Sequence, residues 1–551
     1  MKLLTNSLLI FQLIICNNII CQETKIEATR SLFSQELFKR QLNFLGSDLF
    51  EGRAPGTVGG YLAAKYLAIE FDKLKLKPIG SEATYYQNIP LHSSKPLITS
   101  QLKIYYEEEE IQSRLYEDFV LYQSGEPIYI PASTELVFVG YGIIAPEFDY
   151  NDYQNIDVEG KIVVFLDGEP NSTDETYFAG KNNTIYSTHE AKRRIALSRG
   201  AKGTILIPNI KFDRYFNWQE LVRVYSFPNI SLISSPSSSF DIIMNPESAD
   251  VLFIDSGYSL DDIFEMHKKF TMRNFQLKVR LSFQGSFKQD DFISPNIIGL
   301  LEGNDPLLKD SYVIVSAHYD HLGIGPAVKC DSIYNGVFDN AEGVAAILEI
   351  ARIITQYNIY HKRSIIFLLT TGEESGLLGS RYYVQNPIVP LYKTIADINV
   401  DGLASFDTFK SIIGVGKEFS SLSEILKDIA LERNLTIDSI PDFFSDHNTF
   451  HKSDQYSFAK AGVPSILLLE GTHYENLSKE EGISKLIEYS KNIYHTPFDD
   501  LNQQINYLAV AQHIEIIIAM IERICNSTNE PKWLSGTPFI NTRLISKAQK
   551  K

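Results

Sequence analysis

The chain has 551 residues, of which 44% are hydrophobic and 22% charged, a composition that supports a sizeable core and, at this length, two domains. Its formal net charge of −17 argues against nucleic acid or an anionic membrane surface as a partner.

After Lys2 comes LLTNSLLIFQLIICNNII, a short apolar run interrupted by Asn6, Gln12, Asn17 and Asn18. It reads as a secretory signal peptide over 1–22, cleaved near Cys21–Glu23, and predicts secretion to an extracellular or periplasmic space. A lipid-modified Cys21 is the weaker alternative, because Asn18-Ile19-Ile20 lacks the small residues that such a site usually shows. No later stretch is apolar enough to cross a bilayer, so no transmembrane segment is expected after cleavage. Beyond the signal only Cys330 and Cys525 remain, too few for a disulfide-built scaffold.

Residues 23–125 read as the N-terminal part of a catalytic domain. Ser34–Leu45 predicts an amphipathic helix, Gly46–Gly60 a glycine-rich loop, and Tyr61–Leu74 a second helix with apolar residues at helical spacing. The grain changes over 126–256, where short β runs dominate: Glu135–Ile143, Gly160–Gly168, TILIPNI and ISLISS. One helix, Glu190–Arg199, is stopped by Gly200. This region is expected to be a small β-rich inserted domain. From Pro295 onward strands and helices alternate, and 257–530 reads as an α/β three-layer sandwich with a mixed, mostly parallel sheet. Residues 531–551 are expected to form a polar tail strapped to the surface.

The chemistry-bearing residues follow the strands of that second part. The β-branched run Tyr312–Val315 delivers His318 and Asp320 to its carboxyl end, with a His-x-Asp spacing. Asp339 stands just before a helix, Glu373 and Glu374 follow SIIFLLTT, Asp401 follows ADINV, and His495 precedes the last long helix. In open α/β sheets ligands gather at the carboxyl ends of strands. Taken singly each residue has a plain explanation: a hydrogen-bonded histidine, a solvated Glu-Glu pair, an aspartate capping a helix. Taken together at the loops where such folds build sites, they point to a metal centre. Oxygen and imidazole donors without a thiolate suit two zinc ions, or cobalt or manganese, sharing a bridging carboxylate. Such a pair can acidify a water and polarise a carbonyl.

SAHYDHLG, NGVFDNAEG, TGEESGLLGS, NVDG, SDQYSFAKAGVP and YHTPFDD, in that order, resemble the M28 family of zinc aminopeptidases and carboxypeptidases. The resemblance extends to LGSDLFEGRAPGTVGG and, more loosely, to a protease-associated (PA) domain at the insert. It implies that Asp339 bridges two metals, with His318 and Asp401 completing one and Glu374 and His495 the other. Glu373 would be the general base, and Asp320 would orient His318 by a hydrogen bond. The peptide Asp339–Asn340 would be cis. Relatives usually carry an acid or small residue at Phe338 and a serine at Glu342, so altered packing or rim charge is expected there. Gln455 stands where histidine is often found, and Ser445-Asp446-His447 offers a competing Ser-Asp-His. Ser453–Phe458 is preferred because it runs into AKAGVP, which would let Tyr456 face the substrate. The implied protein is a secreted two-zinc exopeptidase acting on peptides or proteins, first an aminopeptidase. Carboxypeptidase or dipeptidase action is the near alternative, followed by a glutaminyl cyclase and a non-catalytic receptor-like module.

Overall fold

The computed structural model describes residues 30–122, 126–170, 172, 174, 176–180, 183–209, 217–234, 239–441 and 449–550. The expected signal peptide, with Cys21, and the Ser445-Asp446-His447 segment lie outside the described residues.

Seven strands carry the chemistry: β1 (Phe287–Leu301), β2 (Tyr312–His318), β3 (Ser364–Thr370), β4 (Thr394–Asn399), β5 (Ser411–Val415), β6 (Thr436–Ile437) and β7 (Ser465–Glu470). They lie in the order β1-β3-β2-β4-β7-β5-β6 within a larger mixed sheet. β2 is central and parallel to both neighbours, with Ile314 opposite Ile366 on β3 and Asp397 on β4. β4 and β7 are also parallel, while β1 and β5 run antiparallel to β3 and β7. Every residue of β3, SIIFLLT, is buried, as expected of a parallel strand covered on both faces.

Alternate residues feed two cores. Val313, Val315 and Ala317 of β2 and Ile365, Phe367 and Leu369 of β3 point into the larger one. It is closed by helices α1 (Gln35–Leu45), α2 (Val58–Lys73), α3 (Glu342–Gln356), α5 (Leu422–Glu432) and α7 (Tyr507–Asn526). Ile314, Ile366 and Leu368 point the other way, against Tyr383 of α4 (Leu378–Gln385) and Phe458 of α6 (Gln455–Lys460). Two apolar faces with helices on each make the expected three-layer sandwich. Helix starts are set locally: Ser34 Oγ accepts from Leu37 N–H at the head of α1, and Asn506 Oδ1 accepts from Leu508 and Ala509 N–H at the head of α7.

The structure divides into two compact units, and the first holds the described residues up to Ile89, Ser294–Pro441 and those from Phe450 onward. The second, centred on Pro90–Ile293, is wider than the insert expected over 126–256. The physical reason is non-local strand pairing. Asn274–Gln284 pairs with Tyr129–Val139 on one side and with Gln101–Tyr106 on the other, which draws residues on both flanks into one eight-stranded sheet. Within that unit the predicted helix is present as His189–Ser198, followed by Gly200 at φ +85°.

The expected surface tail contains a further helix, α8 (Ile540–Ala548). It is tied down on both sides, because Trp533 Nε1 donates to Gly462 O at 2.9 Å and Arg543 Nη1 to Leu391 O at 3.0 Å. Cys330 is exposed, Cys525 is buried, and both are free thiols. Among the described residues no helix is long and apolar enough to cross a membrane.

Candidate functional site

The first unit brings seven of the predicted residues together at the carboxyl rim of its sheet. His318 is the last residue of β2, and Asp320 and His321 follow it two and three residues on. Glu373 and Glu374 follow β3, and Asp401 follows β4. Asp339 lies on the short irregular turn that opens into α3, and its peptide bond to Asn340 is cis, as the family resemblance implied. His495 sits before α7 with φ +54° and its ring stacked on Tyr494 at 3.8 Å.

Asp339 is the hub. Its Oδ1 lies 3.2 Å from His318 Nε2, and its Oδ2 lies 3.1 Å from His495 Nε2. His318 Nε2 is also 3.1 Å from Asp401 Oδ1, and His495 Nε2 is 3.0 Å from Glu374 Oε2. One carboxylate therefore spans two sets of donors, His318 with Asp401 and His495 with Glu374. Glu373 is buried beside them, its N–H donating to Asp320 Oδ1 at 3.2 Å.

The chemistry of this set fits bound cations. Nδ1 of His318 donates to the backbone carbonyl of Asp320 at 3.1 Å, which leaves the Nε2 lone pair aimed between two carboxylates. His495 Nε2 lies near two carboxylate oxygens yet makes a well-directed hydrogen bond to neither, the arrangement of a metal ligand rather than a proton donor. Burial alone would push the His495 imidazole down, but Glu374 and Asp339 outweigh it and raise it to about 10. His318 is raised in the same way by Asp401 and Glu373 against its burial. Burial works to raise Asp339, yet His318, His495 and His321 hold it well below the usual carboxylate range. Burial, with Asp401 and Glu374 adding to it, lifts the Glu373 carboxyl well above that range. A dry pocket this rich in acids favours positive charge.

Four details refine the sequence reading. The atom of Asp320 that orients His318 is its main-chain oxygen, since its carboxylate is 4.0 Å from Nδ1 and instead receives the Glu373 N–H. Of the altered packing or rim charge expected at Glu342, the structure shows packing: the side chain is fully buried at the head of α3, where Ser405 Oγ donates to its Oε1 at 2.5 Å. Phe338 is buried too, with its ring 5.6 Å from Tyr489. Tyr456 is held by two neighbours. Its ring packs on His451 at 4.2 Å, and the Lys460 ammonium sits over its face at 4.6 Å.

Two residues escaped the sequence reading. His321 is fully buried, and its Nδ1 donates to Glu374 Oε1 at 2.6 Å, leaving Oε2 turned toward His495. Only its place three residues after His318 could have suggested it. Asp499, in the same YHTPFDD stretch as His495, accepts from the N–H of Phe338 at 2.8 Å and of Asp339 at 3.0 Å. It thus fixes the turn that presents the hub.

Residues 296–521 match the sequence profile described as Peptidase family M28. Over 277 residues, 46% of this chain and 51% of the other, the sequence is 28% identical to a "probable leucine aminopeptidase 2" of Aspergillus oryzae. A "Probable zinc metalloprotease" of Pyrenophora tritici-repentis is 35% identical over 112 residues, 20% of this chain and 23% of that one. The chain thus spans about half the length of the first of these relatives and less of the second. In fold it is similar to an aminopeptidase from Aneurinibacillus sp. strain AM-1, with a TM-score of 0.56 and 17% identity, covering 92% of this chain and 99% of that one. The stretch that matches Peptidase family M28 carries all six of His318, Asp339, Glu373, Glu374, Asp401 and His495.

Proposed function

We propose that this protein is a two-zinc exopeptidase of the aminopeptidase type, secreted through its N-terminal signal, with the second unit as a PA-like insert. The observation that carries the reading is the placement of Asp339, whose two oxygens face His318 and His495 separately. His318, Asp339 and Asp401 would hold one ion, and Asp339, Glu374 and His495 the other. When bound, the pair supplies an acidified water and a polarised scissile carbonyl.

The remaining steps belong to the chain's own residues. Glu373 takes the proton from the attacking water on its carboxylate and delivers it to the nitrogen of the leaving amine. Asp320 keeps Glu373 in place through the backbone bond at 3.2 Å. His321 turns one oxygen of Glu374 away, so that the other faces His495. We take the substrate end at this site to be a free α-amine rather than a free carboxylate. The names of the Aspergillus relative and the Aneurinibacillus structure point the same way.

A substrate panel tests this: aminoacyl-p-nitroanilides, the same compounds N-acetylated, blocked peptides with free C-termini, and peptides beginning with glutamine. Cleavage of the free-amine compounds alone is the expected result. Release of C-terminal residues from blocked peptides would make it a carboxypeptidase, and ring closure of N-terminal glutamine a cyclase. Absence of any turnover by the metal-loaded protein would leave the receptor-like reading.

A further inference from the structure

Arg53 lies in the EGRAPGT stretch, far from every ligand in sequence, yet it is 1% exposed and sits beneath the donor set. Its Nε donates to Tyr319 O at 2.8 Å, its Nη1 to Leu45 O at 2.9 Å and Asn335 O at 2.5 Å, and its Nη2 to Gly336 O at 2.8 Å. Tyr319 directly follows His318, and Asn335-Gly336 lead into the turn that carries Asp339. One planar cation therefore joins the two segments that present the first histidine and the hub carboxylate.

We infer that Arg53 is a positioning residue of the metal centre: by holding these main-chain carbonyls it sets the spacing between His318 and Asp339 and so the affinity for the bound ions.

Two features favour this over a purely structural role. A buried guanidinium normally finds a carboxylate, and an apolar side chain of similar volume is often at least as good for stability alone. Here four bonds go to carbonyls, and only the forked donor geometry of arginine can reach three separate segments at once. Second, the turn is held from both polarities. Arg53 takes the carbonyls of Asn335 and Gly336, while Asp499 takes the N–H groups of Val337, Phe338 and Asp339. Space is tight as well. Gly52, at φ +71°, has Tyr334 O only 2.2 Å from where a Cβ would stand. Burial pulls the guanidinium down to about 10 against the pull of Asp499, Asp320, Asp339 and Glu374, so it keeps its charge at neutral pH.

The inference rests on the metal-centre reading, and the test separates the two. Cobalt(II) affinity of the full chain is measured by competition with a chelator, together with the visible spectrum of bound cobalt, for wild type, Arg53→Lys and Asp48→Ala. Lysine keeps the charge but cannot span the carbonyls. Asp48 is exposed and steadies the same segment from outside, its Oδ1 accepting from Asn335 Nδ2 at 2.9 Å. Arg53→Lys is expected to bind cobalt about 10- to 100-fold more weakly, with a shifted spectrum. It should lose kcat without a change in KM and recover part of it in excess metal. Asp48→Ala should lose about 2- to 5-fold in affinity, in the same direction. A folded Arg53→Lys with wild-type affinity and spectrum overturns the inference. Should that variant fail to fold, unchanged affinity in Asp48→Ala overturns it. Wild type that binds no cobalt overturns the metal-centre reading and the inference together. Wild type that binds cobalt but cleaves no free-amine substrate overturns the aminopeptidase reading alone.

Discussion

Glu373→Gln is expected to lower kcat by about 10²- to 10⁴-fold, the usual range for a lost general acid–base group. Metal content should stay at the wild-type value. Glutamine has the size and shape of the acid and keeps the backbone N–H that donates to Asp320, so the local structure has no reason to move. What it loses is the ability to take a proton and give it back. Its neighbour is a different case. Glu374 faces His495 and accepts from His321, so Glu374→Gln should weaken metal binding as well as turnover. Steady-state kinetics on a p-nitroanilide, with metal analysis of the same samples, separates the two. Near-normal activity in Glu373→Gln would remove the assigned proton carrier.

Glu342→Gln is expected to stabilise the protein, by a margin that grows with pH. Burial raises the Glu342 carboxyl to about 8, with Ser405 donating to it and Asp499 adding to the rise. In the unfolded chain its value is about 4.5. The folded state therefore binds a proton that the unfolded state has released, and the sign follows. Below about pH 4.5 both states are protonated and the side chain costs nothing. As pH rises toward 8, stability falls by about 1.4 kcal/mol per unit, several kcal/mol in all. A negative charge at the head of α3 would gain about 0.3–1 kcal/mol from the helix dipole, too little to offset full burial. Glutamine stays neutral throughout and can accept the same bond from Ser405. Thermal unfolding at pH 4.5, 6 and 8 should show equal Tm at the lowest pH and a widening gain for Glu342→Gln above it. Curves that stay together would mean that Glu342 is ionised in the folded protein and balanced by a charge near it.

The strands of the catalytic sheet were legible because parallel strands buried on both faces leave continuous apolar runs such as SIIFLLT and YVIV. His318, Asp339, Glu373, Glu374, Asp401 and His495 were legible for a related reason. His318, Glu373, Glu374 and Asp401 end or follow such strands, Asp339 and His495 precede helices, and the rim is where an α/β sheet exposes backbone ends to ligands. The limits of the second unit were less legible, because they depend on Asn274–Gln284 pairing with strands more than a hundred residues earlier. Local pattern carries no trace of such a partner. His321 and Asp499 act through hydrogen bonds to other residues' groups, and a single histidine or aspartate in a loop shows no spacing that would mark this. At Glu342 the sequence left altered packing and rim charge both open, because a glutamate at the start of a helix can stand in solvent or turn inward. Only the packing of Ser405 over it settles which.

The most direct test of the metal centre is the zinc content of the purified, dialysed chain and of its Asp339→Asn variant. Because both oxygens of Asp339 face a separate histidine, two equivalents per chain are expected in wild type, with both weakened together in the variant. A wild type that holds one zinc or none, or an Asp339→Asn protein that keeps two, would contradict the assignment of Asp339 as the shared ligand.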